Sequence, residues 1–227
     1  MIIGNGAIAK ALAEIEVPQD LIVHAAGVSN SMCEDRLEFA RDLKRLDLSL
    51  KLSKKIIYFS SQTCSNSSVL TPYFEHKRTI ERKILSDSDE HLIVRLPQFC
   101  SKASNAKNMI RSFLTKVKNN EGITCYDNVT RNLITDTDLR SMFCLVLVEK
   151  YSGILSFSSP YSYKPVEIIS EIERVLSTEA VIKFEKSPHE KFFTRYQNSN
   201  EFRSIYREME KIGRSSYLSK LIDHVCS

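Results

Sequence analysis

The sequence predicts an α/β protein, a parallel sheet with flanking helices and a small, mainly helical lobe. Three observations predict it. Short apolar runs near residues 1–3, 21–23, 56–59 and 90–97 alternate with stretches of helical periodicity. The first run opens into Gly4, Gly6 and Ala9, spaced GxGxxA, where a strand gives way to a helix. At 227 residues the chain is long enough for one substantial core with an attached lobe.

Composition narrows the class. The 42% hydrophobic and 26% charged residues describe an ordinary soluble globule. Six cysteines lie at 33, 64, 100, 125, 144 and 226 with no CxxC pair. That scatter reads as reduced thiols rather than a disulfide frame or zinc site, so no metal is expected. No basic segment followed by a signal-type apolar run opens the chain, and no apolar run reaches membrane length, so the predicted location is cytoplasmic without membrane contact. The net charge of +4 is concentrated in residues 101–131, where six basic side chains (Lys102, Lys107, Arg111, Lys116, Lys118, Arg131) face Glu121 and Asp127. Such a region suits an anionic substrate. Nucleic acid is not an expected partner, because no basic run is interleaved with aromatics.

In chain order, Met1 to Ile3 gives a minimal first strand. A buried parallel strand needs about five residues, so either the true start lies upstream or this strand is stunted. Gly4 allows the tight turn, Gly6 lets the backbone approach a pyrophosphate, and the small Ala9 lets helix and strand pack closely. A helix over about 7–15 leads to a second short apolar run, Leu21-Ile22-Val23, which ends in His24-Ala25-Ala26-Gly27. The helix over about 33–52 places Leu37, Ala40, Leu43, Leu46 and Leu50 on a core-facing stripe.

The stretch 54–77 carries the chemistry. Ile56-Ile57-Tyr58-Phe59 is a strand that breaks at Ser60-Ser61 into a serine-rich loop. A helix restarts at Thr71-Pro72, with Thr71 as cap and Pro72 at the first position. Tyr73 and Lys77, four apart, share one helix face. A free phenol, with a pKa of about 10, is a poor base near neutrality. A neighbouring ammonium and the positive end of a helix would favour the phenolate. Ser61, with Ser60 as the alternative, could hold a substrate oxygen while Tyr73 exchanges its proton. Beyond it, 90–97 is a strand closed by Pro97, and 105–119 is an amphipathic helix with Met109, Ile110, Phe113, Leu114 and Val117 on its apolar side. Residues 153–159 read as a strand and 165–177 as a helix entered through Pro165. A short strand and charged loop occupy 179–190. Helices at 201–212 and 217–226 end the chain, and the five basic and four acidic residues after position 200 suggest a surface face.

The Ser61, Tyr73 and Lys77 set resembles that of the short-chain dehydrogenase/reductase family. Three further segments are similar to its extended, nucleotide-sugar branch. Residues 24–27 resemble the small-residue turn that ends the family's fourth strand. Arg95-Leu96-Pro97-Gln98-Phe99 resembles a turn in which an Asn contacts substrate, Gln98 standing in its place. Arg131-Asn132-Leu133-Ile134-Thr135-Asp136-Thr137-Asp138 resembles the segment whose arginine holds the nucleotide diphosphate.

The resemblance implies a Rossmann-like sheet that lacks its second and third strands, since only a handful of residues separate the first helix from the strand before His24. It implies NAD or NADP as cofactor, bound by Gly4, Gly6, Ala9, Ala25, Ala26, Gly27 and Lys77. Without a second strand no acidic residue is placed to hold the adenosine ribose, although Glu14, Glu16 and Asp20 lie nearby, so the choice between NAD and NADP stays open. Tyr73 would be the acid/base, Lys77 its modulator and Ser61 the carbonyl donor. Ser29, Gln98 and Arg131 would contact a nucleotide-sugar substrate. The helix over 33–52 lacks the Asn by which the family anchors a relay water. The Rossmann-like core would comprise 1–100 and 123–160, and the lobe 101–122 and 161–227. The implied activity is NAD(P)-dependent epimerisation, dehydration or reduction of a nucleotide sugar in surface-polysaccharide synthesis, with a homodimer left open. The competing reading is a non-catalytic Rossmann protein that binds a nucleotide sugar or a protein partner.

Overall fold

Five parallel strands form the centre of the computed structural model, which describes residues 1–53, 55–67, 69–88, 90–186 and 200–227. They are β1 (Ile2–Ile3), β2 (Leu21–His24), β3 (Lys55–Ser61), β4 (Glu90–Leu96) and β8 (Gly153–Ser156), adjacent in that order. Helices α1 (Ala7–Leu12), α2 (Arg36–Leu52) and α3 (Pro72–Asp87) return the chain between the first four. Strands β3 and β4 are apolar almost throughout because helices cover both their faces.

Side-chain alternation sorts the core into two layers. Ile22, Ile56, Tyr58 and Ile93 face α2 and α3, packing against Leu46, Leu50, Ile80 and Ile84. Val23, Ile57, Phe59, Leu92 and Val94 face the opposite way, toward Leu12 of α1 and Leu139 and Phe143 of α5 (Asp136–Glu149). That second layer runs on without a break into α4 (Met109–Lys118), α6 (Pro165–Leu176), α7 (Arg203–Ile212) and α8 (Arg214–Cys226).

The truncation expected of the sheet is present. Residues 13–20 form no strand, so β1 is an edge, paired on one side with β2. Two residues suffice because the flanking backbone extends the pairing: Val23 N–H donates to Met1 O at 2.9 Å and Ala25 N–H to Ile3 O at 2.8 Å. Among the described residues two smaller sheets complete the fold. In one, β5 (Gln98–Cys100), β7 (Arg131–Thr135) and β9 (Ser162–Tyr163) lie side by side; in the other, β6 (Gly122–Tyr126) pairs with β10 (Val181–Glu185).

Four expectations need correction. Helix α1 stops at Leu12, and β8 ends at Ser156 rather than 159. Helix α2 starts at Arg36, where the Asp35 side chain accepts from the Leu37 N–H at 2.8 Å. Its buried positions are Asp42, Leu46, Ser49 and Leu50, while Leu37 is 74% exposed and Ala40 lies outside. The inward face is rotated because Asp42 and Ser49 find polar partners on β2 and α3, described below. The last helices are less superficial than their charge suggests: Tyr206, Met209, Tyr217, Leu218, Leu221, Ile222 and Val225 all enter the core. The expected charged loop to 190 extends past the described residues. Among the described residues no helix is long and apolar enough to cross a membrane.

Candidate active site

Parallel strands place their carboxyl ends, and the loops that follow them, on one edge of the sheet. Here that edge gathers Gly4, Gly27, Ser60, Ser61, Tyr73 and Lys77. Helix α3 starts there because Thr71 accepts from the Phe74 N–H at 3.4 Å and Pro72 needs no partner for a missing N–H. Tyr73 is thereby fixed in the first turn and Lys77 one turn on, both facing the sheet and both buried.

The Lys77 ammonium donates to Tyr58 Oη at 2.9 Å and to Phe59 O at 3.4 Å, and stands 5.8 Å from the centre of the Tyr73 ring. Burial pulls its pKa down, against the attraction of Asp42 and Glu81. Tyr73 packs among Cys64, Val69, Phe74 and Val28. Burial pushes its phenol up, and the nearby Cys64, Asp42 and Cys33 act in the same direction. The lowered phenol expected from an adjacent lysine is therefore not what the geometry gives, because the ammonium binds Tyr58 instead of the Tyr73 hydroxyl.

The two serines divide their tasks. Ser61, the last residue of β3, accepts from the Thr63 N–H at 3.4 Å and so caps a short 3-10 turn over Gln62–Ser65. Ser60 points to the face of Tyr58 and Lys77. Its hydroxyl donates to Cys64 Sγ at 3.6 Å, within the group around Tyr73.

The glycines separate as well. Gly4 has φ +140°, and a Cβ there would lie 2.5 Å from Ala25 O, so this glycine lets the first turn close against the β2 exit. Gly6 precedes α1, and a Cβ on it would meet nothing within 4 Å, which leaves its backbone open to a ligand. Gly27 packs on the lysine: a Cβ there would lie 2.9 Å from Lys77 Nζ.

These residues fit the nicotinamide and pyrophosphate half of a dinucleotide. The adenosine half has less. A cavity of about 510 Å³ beside β1 is lined by Gly4, Asn5, Ala9, Lys10 and apolar neighbours, with no carboxylate among them. Asp20 is ion-paired with Lys55 at 2.9 Å at the start of β2, the opposite edge of the sheet from the glycine turn, and Glu14 lies 3.6 Å from Arg140.

The expected substrate contacts lie on separate segments. The Ser29 hydroxyl accepts from Asn105 Nδ2 at 3.2 Å, bridging the loop after Gly27 to the segment before α4. Gln98 and Arg131 belong to one small sheet, Gln98 lying in register with Leu133. The Arg131 guanidinium donates to Thr130 O at 3.2 Å.

Sequence reading missed Asp42, His76 and Gln62 at this edge. Asp42, 1% exposed, accepts from Val28 N–H at 3.1 Å and from His76 Nε2 at 2.9 Å through the same oxygen. His24 Nε2 faces its other oxygen at 3.8 Å, too long for a hydrogen bond. Burial opposes the Asp42 charge, but the two histidines, Lys77 and the Val28 N–H outweigh it and hold the carboxyl well below its usual range. Gln62 donates through Nε2 to Phe157 O at 3.0 Å, while among the described residues its buried Oε1 has no hydrogen-bond partner. No periodic signal marks Asp42, because it lies off the expected stripe of Leu37, Ala40, Leu43, Leu46 and Leu50.

No protein-family model matches the sequence, and no curated protein matches it by sequence. Solved structures do match by shape. The UDP-glucuronic acid 4-epimerase of Bacillus cereus, solved with UDP-glucuronic acid and NAD, superposes with a TM-score of 0.69 at 17% identity over 98% of this chain and 79% of its own. The UDP-glucose 4-epimerase of Thermus thermophilus, solved with NAD, gives 0.70 at 14% over 97% and 81%. The chain has the nucleotide-sugar epimerase and reductase fold. The dTDP-4-dehydrorhamnose reductase of Bacillus anthracis, solved with NADP, extends the likeness to the reductases, with a TM-score of 0.66 at 14% identity over 95% and 84%. The fold is shared with these solved structures, and in this chain β1 is the edge of the central sheet.

Proposed function

We propose that this chain is an NAD(P)-dependent enzyme that acts on a nucleotide sugar by hydride transfer at a sugar carbinol or carbonyl carbon. The observation that supports it most is the burial of Tyr73 and Lys77 together on one face of α3, against Gly27 and beside Ser60. When bound, the nicotinamide would supply or accept the hydride. Tyr73 would exchange a proton with the reacting oxygen, and its raised phenol makes it a proton donor at neutral pH, which suits carbonyl reduction. Ser60 would hold that oxygen in preference to Ser61, because it lies on the Lys77 face of β3. Lys77 would bind the nicotinamide ribose. Ser29, Gln98 and Arg131 would meet the nucleotide sugar, and surface-polysaccharide synthesis would be the setting.

Arg131 gives a test on the substrate side. A guanidinium fork matches a diphosphate better than an ammonium does. Arg131→Ala should weaken binding of the nucleotide sugar by about 1.5–3 kcal/mol and leave the nicotinamide cofactor nearly untouched. Isothermal titration of both ligands distinguishes these outcomes. Equal loss of both would move Arg131 out of the substrate role.

One pair of observations favours a second reading, a non-catalytic protein that binds a nucleotide sugar or a protein partner. Among the described residues no carboxylate lines the cavity beside the edge strand β1, and the Tyr73 phenol is raised rather than lowered. Under that reading Tyr73 and Lys77 are packing residues, and no substrate is turned over.

A further inference from the structure

Asp42 is a carboxylate in the interior of α2, on a face otherwise made of Leu46, Ser49 and Leu50. A buried carboxylate is costly unless donors and counter-charge surround it. Its donors come from two directions. Val28 N–H and His76 Nε2 reach Oδ2, and because a carboxylate can only accept, His76 carries its proton on Nε2. Phe39 stacks on the His76 ring at 4.5 Å and holds it flat. On the other side the Ser49 hydroxyl donates to Arg45 O at 3.0 Å, so it accepts from His24 Nδ1 at 2.8 Å. That leaves His24 Nε2 aimed at Asp42 Oδ1, and among the described residues neither atom has another partner.

The carboxylate and the Lys77 ammonium converge on Gly27. A Cβ built there would lie 2.9 Å from Lys77 Nζ and 3.6 and 3.8 Å from the two Asp42 oxygens. The other carboxylate that acts on Lys77 is Glu81, which is already matched by a two-pronged contact with Arg95 at 2.7 and 3.0 Å. The remaining groups around the ammonium, Tyr58, Tyr73 and Cys64, are all held in their neutral forms by burial. Among the described residues no group of His, Cys, Asp and Glu could hold a metal ion, so the cluster is not an ion site.

We infer that Asp42 is a positioning residue for Lys77, its carboxylate keeping the ammonium charged and seated over Gly27 while His76 and the Val28 N–H hold the carboxylate in place. The inference rests on the reading of Lys77 as the residue that holds the nicotinamide ribose, but its test does not need turnover.

The sign of the test follows from proton linkage. Burial depresses the Lys77 pKa, so above that value the unfolded chain binds more protons than the folded one and stability rises with pH. Removing the Asp42 charge should depress Lys77 further, and the rise should become larger. Asp42 itself is ionised in both states over this range. Melting temperatures are therefore measured from pH 7 to 10 for the parent, Asp42→Asn, Lys77→Met and the double variant. Asp42→Asn should show a steeper upward slope than the parent, by an excess on the order of 3 °C across the range. That excess should be absent between Lys77→Met and the double variant, where contributions from His24 and His76 are shared. A constant loss at every pH, or the same excess without Lys77, would reduce Asp42 to a packing role and overturn the inference.

Should Asp42→Asn fail to fold, Gly27→Ala inserts a methyl between the two charges and should steepen the slope in the same sense. A curve parallel to the parent would contradict the inference. Titration of NADH at pH 7 and pH 9 then links the cluster to the ligand: affinity should fall about tenfold more with pH in Asp42→Asn than in the parent. A parent that binds no nicotinamide cofactor would sink the proposed function, while the melting curves would still decide the role of Asp42.

Discussion

Tyr73→Phe should lower turnover by about 10²–10⁴-fold while cofactor affinity is kept. The substitution removes one hydroxyl and leaves the ring, which packs edge-on against Phe74 at 5.0 Å and fills the space beside Cys64 and Val69. Stability should therefore change little, and a loss of rate can be read as loss of proton transfer. The pH profile adds an independent check. A phenol raised by burial stays protonated through neutrality, so carbonyl reduction by the parent should show no decline below a pH of about 10. A decline near neutral pH that vanishes in Tyr73→Phe would instead mean that the bound cofactor reverses the shift. Lys77→Met should also slow turnover and should weaken cofactor binding as well. An active parent whose Tyr73→Phe variant keeps full rate would make the stretch around Tyr73 a packing motif.

The largest stability effect should come from Gly4→Ala, on the order of 3 kcal/mol. Two costs add. The backbone at φ +140° is one that side chains rarely adopt, and the new Cβ would sit 2.5 Å from Ala25 O, a backbone atom that cannot swing aside. The edge strand β1 would lose its seat on β2, with the Ala25 N–H to Ile3 O bond among the first to go. Gly27→Ala is the instructive contrast. Its Cβ meets the tip of a flexible lysine, which can move, so stability should fall far less. Urea unfolding of both variants tests the ranking, and a Gly4→Ala variant as stable as Gly27→Ala would contradict it.

The shape of the sheet is legible in the sequence because its strands announce themselves as apolar runs and its helices as periodic ones. The missing strands are legible by subtraction, since residues 13–20 are too few to hold them. The pairing of Tyr73 with Lys77 on one face needs only helical spacing and a Thr-Pro start. What spacing does not show is where the ammonium points. Tyr58, nineteen positions earlier on β3, takes that hydrogen bond, and only the packing of α3 on the sheet brings the two together. Asp42 is hidden for a similar reason. A charged residue beside a leucine stripe reads as solvent-facing until His24, from β2, and His76, from α3, are seen to converge on it. The phase of α2 is hidden with it, which is why Leu37 and Ala40 lie outside. Gln62 belongs to the same class, its partner Phe157 lying ninety-five residues away.

Binding of the reduced cofactor tests the central claim most directly. The chain contains no tryptophan, so nicotinamide fluorescence can be followed with little protein background. Titrating the protein into NADH and into NADPH should enhance or quench that signal saturably for both. No carboxylate lines the cavity beside β1 to reject a 2′-phosphate, so the two affinities should lie within about tenfold of each other. Lys77→Met should weaken both, because the ammonium is the contact to the ribose they share. No saturable change with either cofactor, or affinities that Lys77→Met leaves intact, would contradict the assignment of this edge of the sheet as a nicotinamide site.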